Sequence, residues 1–260
     1  MSRGDLSEAG WRVLKDLLPI EPSMRGRGRR PTKNRSVLNG ILWRLRCGAP
    51  WRDVPEKYGK WNTIYRRFRR WSEAGTWEIV SITLAEMMAD TGHYSIDSTT
   101  IRAHVSAAGD KRGTHRQALS RSRGGFGCKI HCIADAGGRP LAFHLTGGQA
   151  ADCKAYDTLI ALPEIEPAAL LGDKGYDADA IRDDLRGRGV DAVIPGRSNR
   201  KKPIIHDRTL YKERNRIERM FGHLKINRAV ATRYDQLAES FLSMIQIAAT
   251  RYLLKFVHVA

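Results

Sequence analysis

All six tryptophans of this 260-residue chain, at positions 11, 43, 51, 61, 71 and 77, lie before residue 80. Large aromatic side chains need a core to bury them. The step in composition therefore predicts an N-terminal module over residues 1–90 and a second domain over 91–260. With 42% hydrophobic residues, both can build a real core.

The N-terminal module reads as helical. Val37, Leu38, Ile41, Leu42 and Leu45 recur at helical spacing, and Gly48 and Pro50 end that run. The next helix is expected to start at Asn62 or Thr63, both good caps. Along it Trp61, Ile64, Tyr65, Phe68 and Trp71 form an apolar stripe, and Arg66, Arg67, Arg69 and Arg70 fill the remaining surface. A helix, a break and a basic helix form the pattern of a DNA-binding helix-turn-helix; a plain helical bundle with a solvated arginine face has the same pattern. Ahead of these helices runs Arg25-Gly-Arg-Gly-Arg-Arg-Pro31, in which Arg27, Arg29 and Arg30 suit an arm for a narrow minor groove. A disordered basic linker has the same composition.

Lys and Arg number 45 against 28 Asp and Glu, a formal net charge of +17. Such charge favours a polyanionic partner through attraction and counterion release. Double-stranded DNA is the first candidate and an anionic membrane surface the second. Residues 241–257 are apolar but broken by Ser243, Gln246, Thr250, Arg251 and Lys255, so no spanning helix is expected. The charged N-terminus does not resemble a signal peptide, and four cysteines do not suggest a disulfide scaffold. These features predict a cytoplasmic protein with reduced thiols.

From His93 onward short apolar runs alternate with helical patterns. Residues 94–97 read as the end of a strand, 105–127 as a mobile loop, and 128–134 and 141–145 as a hairpin turning at 135–139. A helix over 151–162, an apolar run at 168–172, a helix over 178–188, a strand at 192–194 and closing helices follow. The order predicts an α/β fold: a mixed sheet flanked by helices, as in the ribonuclease H-like fold.

Three acids fall where that architecture would gather them. Asp97 closes the first strand, Asp173 follows the run 168–172, and Glu218 lies on a late helix. Divalent cations such as Mg²⁺ take carboxylate and water oxygens. Two of them about 3.5–4 Å apart can clamp an in-line phosphoryl displacement. Each acid alone has a plainer role, as a turn cap or a solvated helix residue.

Helix geometry adds weight to Glu218. Tyr211, Arg214, Glu218 and Lys225 have the spacing Y-x2-R-x3-E-x6-K. At about 100° per residue they lie within about 60° of one another on one face, beside an apolar stripe of Ile217, Phe221 and Leu224. This suits a metal ligand flanked by phosphate-binding cations; a surface salt-bridge ladder is the alternative. Glu213 falls on another face. Cys128, His131 and Cys132 do not make a zinc site, because strand alternation sets His131 opposite the cysteines, which read as core. Asp177 reads as an N-cap and His104 has no assigned role.

The Y-x2-R-x3-E-x6-K spacing resembles the signature of DDE transposases of the bacterial insertion sequence 4 and 5 groups. Ser95-Ile-Asp97-Ser-Thr-Thr-Ile-Arg-Ala-His104 resembles the strand of the first Asp, and Leu171-Gly-Asp173-Lys-Gly-Tyr-Asp177 the motif of the second. Gly48-Ala-Pro-Trp51-Arg-Asp-Val-Pro55 and Tyr65-Arg-Arg-Phe-Arg-Arg-Trp71 are similar to the N-terminal domain of the insertion sequence 5 group. The resemblance implies that Asp97, Asp173 and Glu218 bind two Mg²⁺ or Mn²⁺ ions. It also implies that water cuts a phosphodiester at an element end, and that the freed 3′-hydroxyl attacks target DNA. No covalent enzyme–DNA intermediate is implied, and Arg214 and Lys225 would contact phosphates, with Tyr211 beside them. Synapsis of two ends implies at least a homodimer. A ribonuclease H-like nuclease or resolvase, or a non-catalytic DNA-binding protein, are the rival functions.

Overall fold

A computed structural model of the chain describes residues 4–20, 32–88, 92–108, 117–122 and 125–257. The arm carrying Arg27, Arg29 and Arg30 lies outside the described residues.

The N-terminal region is helical. Helix α1 (Glu8–Leu14) starts at Ser7, whose hydroxyl accepts the Gly10 amide. Helix α2 (Asn34–Cys47) buries the predicted stripe of Val37, Leu38, Ile41, Leu42 and Leu45. Gly48 ends it in the left-handed region, φ 66°, and a Cβ there would come 3.0 Å from the Cβ of Arg228. Gly48→Ala should therefore cost about 1–2 kcal/mol, seen as a lower urea midpoint at unchanged slope. An unchanged midpoint would mean that the backbone there is not constrained.

Two 3₁₀ turns, Trp51–Asp53 and Glu56–Tyr58, lead to α3 (Trp61–Glu73), and α4 (Thr76–Glu86) follows. Helix α3 begins one residue before the expected caps: Lys60 holds the cap position with no side-chain bond, and Asn62 and Thr63 lie in the first turn. Docking of Trp61 and Ile64 against the core sets this start, outweighing a cap worth about 1 kcal/mol. Of the four arginines read as surface, Arg66 and Arg70 are exposed. Arg67 is a correction. It is buried, and its Nη1 donates to the Thr32 carbonyl and Asn34 Oδ1, both at 2.8 Å. Arg69 is half-buried and donates to Ser240 Oγ at 2.5 Å and Glu73 Oε1 at 2.6 Å. The reason is that α3 packs on two sides, against α2 and against the final helix α10 (Ala238–Leu253).

The described residues form one seven-stranded mixed sheet. Its central strand, β1 (Tyr94–Ala103), pairs antiparallel with β3 (Gly125–Ala134), which pairs antiparallel with β4 (Pro140–Gly147). On the other edge β1 pairs in parallel with β5 (Ala169–Leu171), and β5 with β6 (Asp191–Val193). Short strands β2 (Ser120–Ser122) and β7 (Thr232–Arg233) join β3 and β1. Three antiparallel strands followed by two parallel ones, with helices on the faces, is the ribonuclease H-like arrangement.

Two expectations change here. Strand β1 does not end at Asp97 but runs on to Ala103, because β3 pairs with it as far as Arg102. The segment 105–127 is not loop throughout, since it holds β2 and the first residues of β3, which pair with each other. Its Gly, Ser and Arg content hides strands that only the ladder stabilises.

Between β4 and β5 come a 3₁₀ turn (Asp152–Ala155) and α5 (Tyr156–Ile160); α6 (Asp179–Gly187) links β5 to β6. After β6 come α7 (Arg208–Tyr211), a 3₁₀ turn (Lys212–Arg214), α8 (Asn215–Lys225) and α9 (Arg228–Ala231). One buried cluster runs from Leu6 to Leu254 through both regions, with α4 packed on α10 and β4. No helix among the described residues is long and apolar enough to cross a membrane.

Candidate active site

The site forms where the ladder between β1 and β5 runs out. Its last pair is Ser95 with Leu171. Two residues further along each chain stand Asp97 and Asp173. Asp173 is still extended (φ −80°, ψ 179°), so strand alternation turns both carboxylates to the same side. Asp173 also caps the turn Lys174–Tyr176, accepting the Gly175 amide at 2.8 Å.

Helix α8 brings the third acid. Ile217, Met220, Phe221 and Leu224 are buried, and the helix packs on β1. The predicted face is not one unbroken α-helix, because residues Lys212–Arg214 tighten to 3₁₀. The pairs it carries nevertheless form. Arg214 donates through Nη1 to Glu218 Oε1 at 2.6 Å and through Nη2 to Asp97 Oδ2 at 3.1 Å. A single guanidinium thus joins the β1 acid to the α8 acid. Lys225 Nζ donates to Thr99 Oγ1 at 2.6 Å, two residues past Asp97 on β1. Tyr211 packs with Leu210 on Ala169, Leu171 and Val193, its ring edge-on to His206. Glu213 pairs with Arg216 at 2.6 Å, away from the other acids.

Asp97 is buried, 8% exposed. Burial pushes its carboxyl up to about 6. Arg214 and the Ser98 amide oppose the rise, while the negative charges of Asp173 and Glu218 add to it. Asp97 therefore feels both of the other acids. Among the described residues no group of three His, Cys, Asp or Glu side chains is close enough to hold a metal between them. Glu218, still 52% exposed in its side chain, is turned toward Arg214.

One further acid differs from its predicted place. Asp177 is not the N-cap of α6, a position held by Ala178. It is buried and takes hydrogen bonds from Arg182, Arg200 and the Arg197 amide. Burial works against its charge, but these partners hold its carboxyl well below the usual range. The sequence offers no local sign of this, since Arg197 and Arg200 lie beyond β6. Cys128 and Cys132 are buried free thiols, and burial raises both pKa values. The His104 amide donates to the Arg233 carbonyl, and its ring lies against Tyr234.

Asp152, unremarked in the sequence, also sits beside the acids. Its Oδ1 accepts from Ser98 Oγ at 2.6 Å and Lys129 Nζ at 2.9 Å. Tyr176 is fully buried, and burial followed by Asp152, Asp97 and Asp173 pushes its phenol far up.

Residues 6–81 match a family described as "Putative transposase of IS4/5 family", and residues 89–253 match "Transposase DDE domain". The chain belongs to the DDE transposase family. It is 35% identical over 122 residues to "Insertion element IS402 uncharacterized 16.2 kDa protein" of Burkholderia cepacia, covering 44% of this chain and 82% of that one. It is 34% identical over 125 residues to "Putative transposase for insertion sequence element IS6501" of Brucella ovis, covering 46% and 92%. In fold it is similar to the piggyBac transposase of a synaptic complex with hairpin DNA, with a TM-score of 0.53 at 11% identity, covering 98% of this chain and 72% of that one. The chain is thus a DNA transposase of the insertion sequence type, and membership implies use of a divalent metal ion.

Proposed function

We propose that Asp97, Asp173 and Glu218 hold two divalent cations, Mg²⁺ or Mn²⁺, and that the transposase cuts and joins DNA there. The observation that carries this is the placement of Asp173 and Glu218 about Asp97, which lies on β1. Asp97 lies within electrostatic reach of both others, and Arg214 spans it to Glu218. The donors suit the ions, being carboxylate oxygens, and Asp97 already feels the negative charge of both the others. Bound there, two ions would clamp the attacking and leaving oxygens of an in-line displacement.

The chain's own residues orient the rest. Arg214 and Lys225 flank Asp97 and Thr99, where each can meet a phosphate oxygen. In the first step a water oxygen bonds to phosphorus at the element's end and the 3′ oxygen departs, taking a proton to become a free hydroxyl. In the second that hydroxyl bonds to phosphorus in a target strand, gives up its proton, and displaces the target's own 3′ oxygen. Tyr211 takes no covalent part. Exposed Arg66 and Arg70 on α3, with Arg27, Arg29 and Arg30 of the arm, bind the terminal repeats as duplex DNA. Two protomers bring two ends together.

Incubation with element-end DNA, a target plasmid and Mg²⁺ or Mn²⁺ tests this. Metal-dependent nicks at the end and end–target joints are expected. Nicks without joints, even from a pre-cut end, would favour a nuclease or resolvase. Binding without any metal-dependent cut would leave only a DNA-binding protein.

A further inference from the structure

Backbone pairing does not set the distance between Asp97 and Asp173. The β1–β5 ladder stops at Ser95 and Leu171, two residues short of both acids, while β5 stays bonded on its far side through the Gly172 amide to the Val193 carbonyl. At this gap stands Asp152. Its Oδ1 takes the Ser98 hydroxyl, on the residue next to Asp97, and the Lys129 ammonium, which also holds the Ala150 carbonyl at 2.7 Å. Its Oδ2 faces Gly175: a Cβ on that glycine would come 3.0 Å from Asp152 Oδ2 and 2.8 Å from Asp173 Oδ1. Gly175 is thus a close approach, with both carboxylates crowding the place its Cβ would take.

We infer that Asp152 is a positioning residue, whose carboxylate spaces β1 at Ser98 from the turn that begins at Asp173 and so sets how far apart the two metal-binding acids stand. It is not itself placed to take a metal. One oxygen is occupied twice over, and the Lys129 ammonium at 2.9 Å repels a second cation. The inference rests on the metal-binding role proposed for Asp97 and Asp173.

The test is Mn²⁺ uptake by the full chain without DNA, read from loss of the free-ion paramagnetic resonance signal. Groups that orient metal ligands typically cost 10–100-fold in affinity when removed. Asp152→Ala should raise the Mn²⁺ needed for half-saturation by about tenfold. Asp152→Asn, which keeps an acceptor for Ser98 and Lys129, should recover most of that loss. Gly175→Ala, whose Cβ would press on both carboxylates, should also weaken uptake. Ser98→Ala should shift it in the same direction, and add little on top of Asp152→Ala. Wild-type uptake by folded Asp152→Ala and Gly175→Ala, alongside loss in Asp173→Asn, would overturn the inference alone. Uptake abolished as fully in Asp152→Asn as in Asp173→Asn would also overturn it, by making Asp152 a ligand. No uptake by the unaltered chain would overturn the metal site itself, and the inference with it.

Discussion

Asp97→Asn should cut element-end DNA about a thousandfold more slowly than the unaltered transposase while binding that DNA as well or slightly better. A lost carboxylate removes stabilisation worth several kcal/mol, and each 1.36 kcal/mol is tenfold in rate. Binding survives because it depends on cations, and Asn removes a negative charge that a phosphate would otherwise meet. The change is close to isosteric, so Arg214 keeps an oxygen acceptor and β1 stays paired with β3. Asp173→Asn and Glu218→Gln should behave alike. Glu213→Gln is the control: it lies in the same helical segment but pairs with Arg216, so cleavage should stay within about twofold. Gel-resolved cleavage rates and filter binding at fixed salt measure both quantities. Cleavage and joining at the normal rate by any of the three variants would sink the site.

The largest effect on stability is expected at Asp235. Arg44 of α2 meets its carboxylate through both terminal nitrogens at 3.1 Å, with side chains only 4% and 9% exposed. Arg44 also lies over the Trp51 ring, 5.0 Å from its centroid. The pair ties the N-terminal helices to the segment that leaves β7. Asp235→Ala would strand a buried guanidinium, which costs about 3–5 kcal/mol. Arg44→Met with Asp235→Leu removes both charges, and should recover most of that loss. Urea unfolding of the single and double variants decides it. A single-variant cost below about 1 kcal/mol would mean that water reaches the pair.

Much of this was legible in the residues. The α2 stripe and its stop at Gly48, the hairpin of β3 and β4, helix α6 and the apolar edge of α8 each follow from a periodicity or a turn within a few residues. Glu218 was separable from Glu213 because Arg214 and Glu218 lie one turn apart on one helix, and their ion pair forms although the preceding turn tightens to 3₁₀. Other features were not legible. The far half of β1 and all of β2 exist through strand partners that local composition does not announce. Arg67 looked like surface until α2 and α10 closed around α3. Asp177 looked like a cap until three arginines from further along the chain reached it.

The same division runs through the candidate site. The sequence alone determined which acids to consider, the basic charge that suits DNA, and the helix face on which Glu218 sits, because charge and helical phase are properties of a single segment. Only the tertiary structure decided that Asp97 and Asp173 stand side by side past the last rung of a parallel ladder, that Arg214 reaches across to Asp97, and that Asp152 fills the gap beside them. Those contacts join residues 117 and 54 positions apart. Their geometry comes from how the strands and helices pack, and no local pattern carries it.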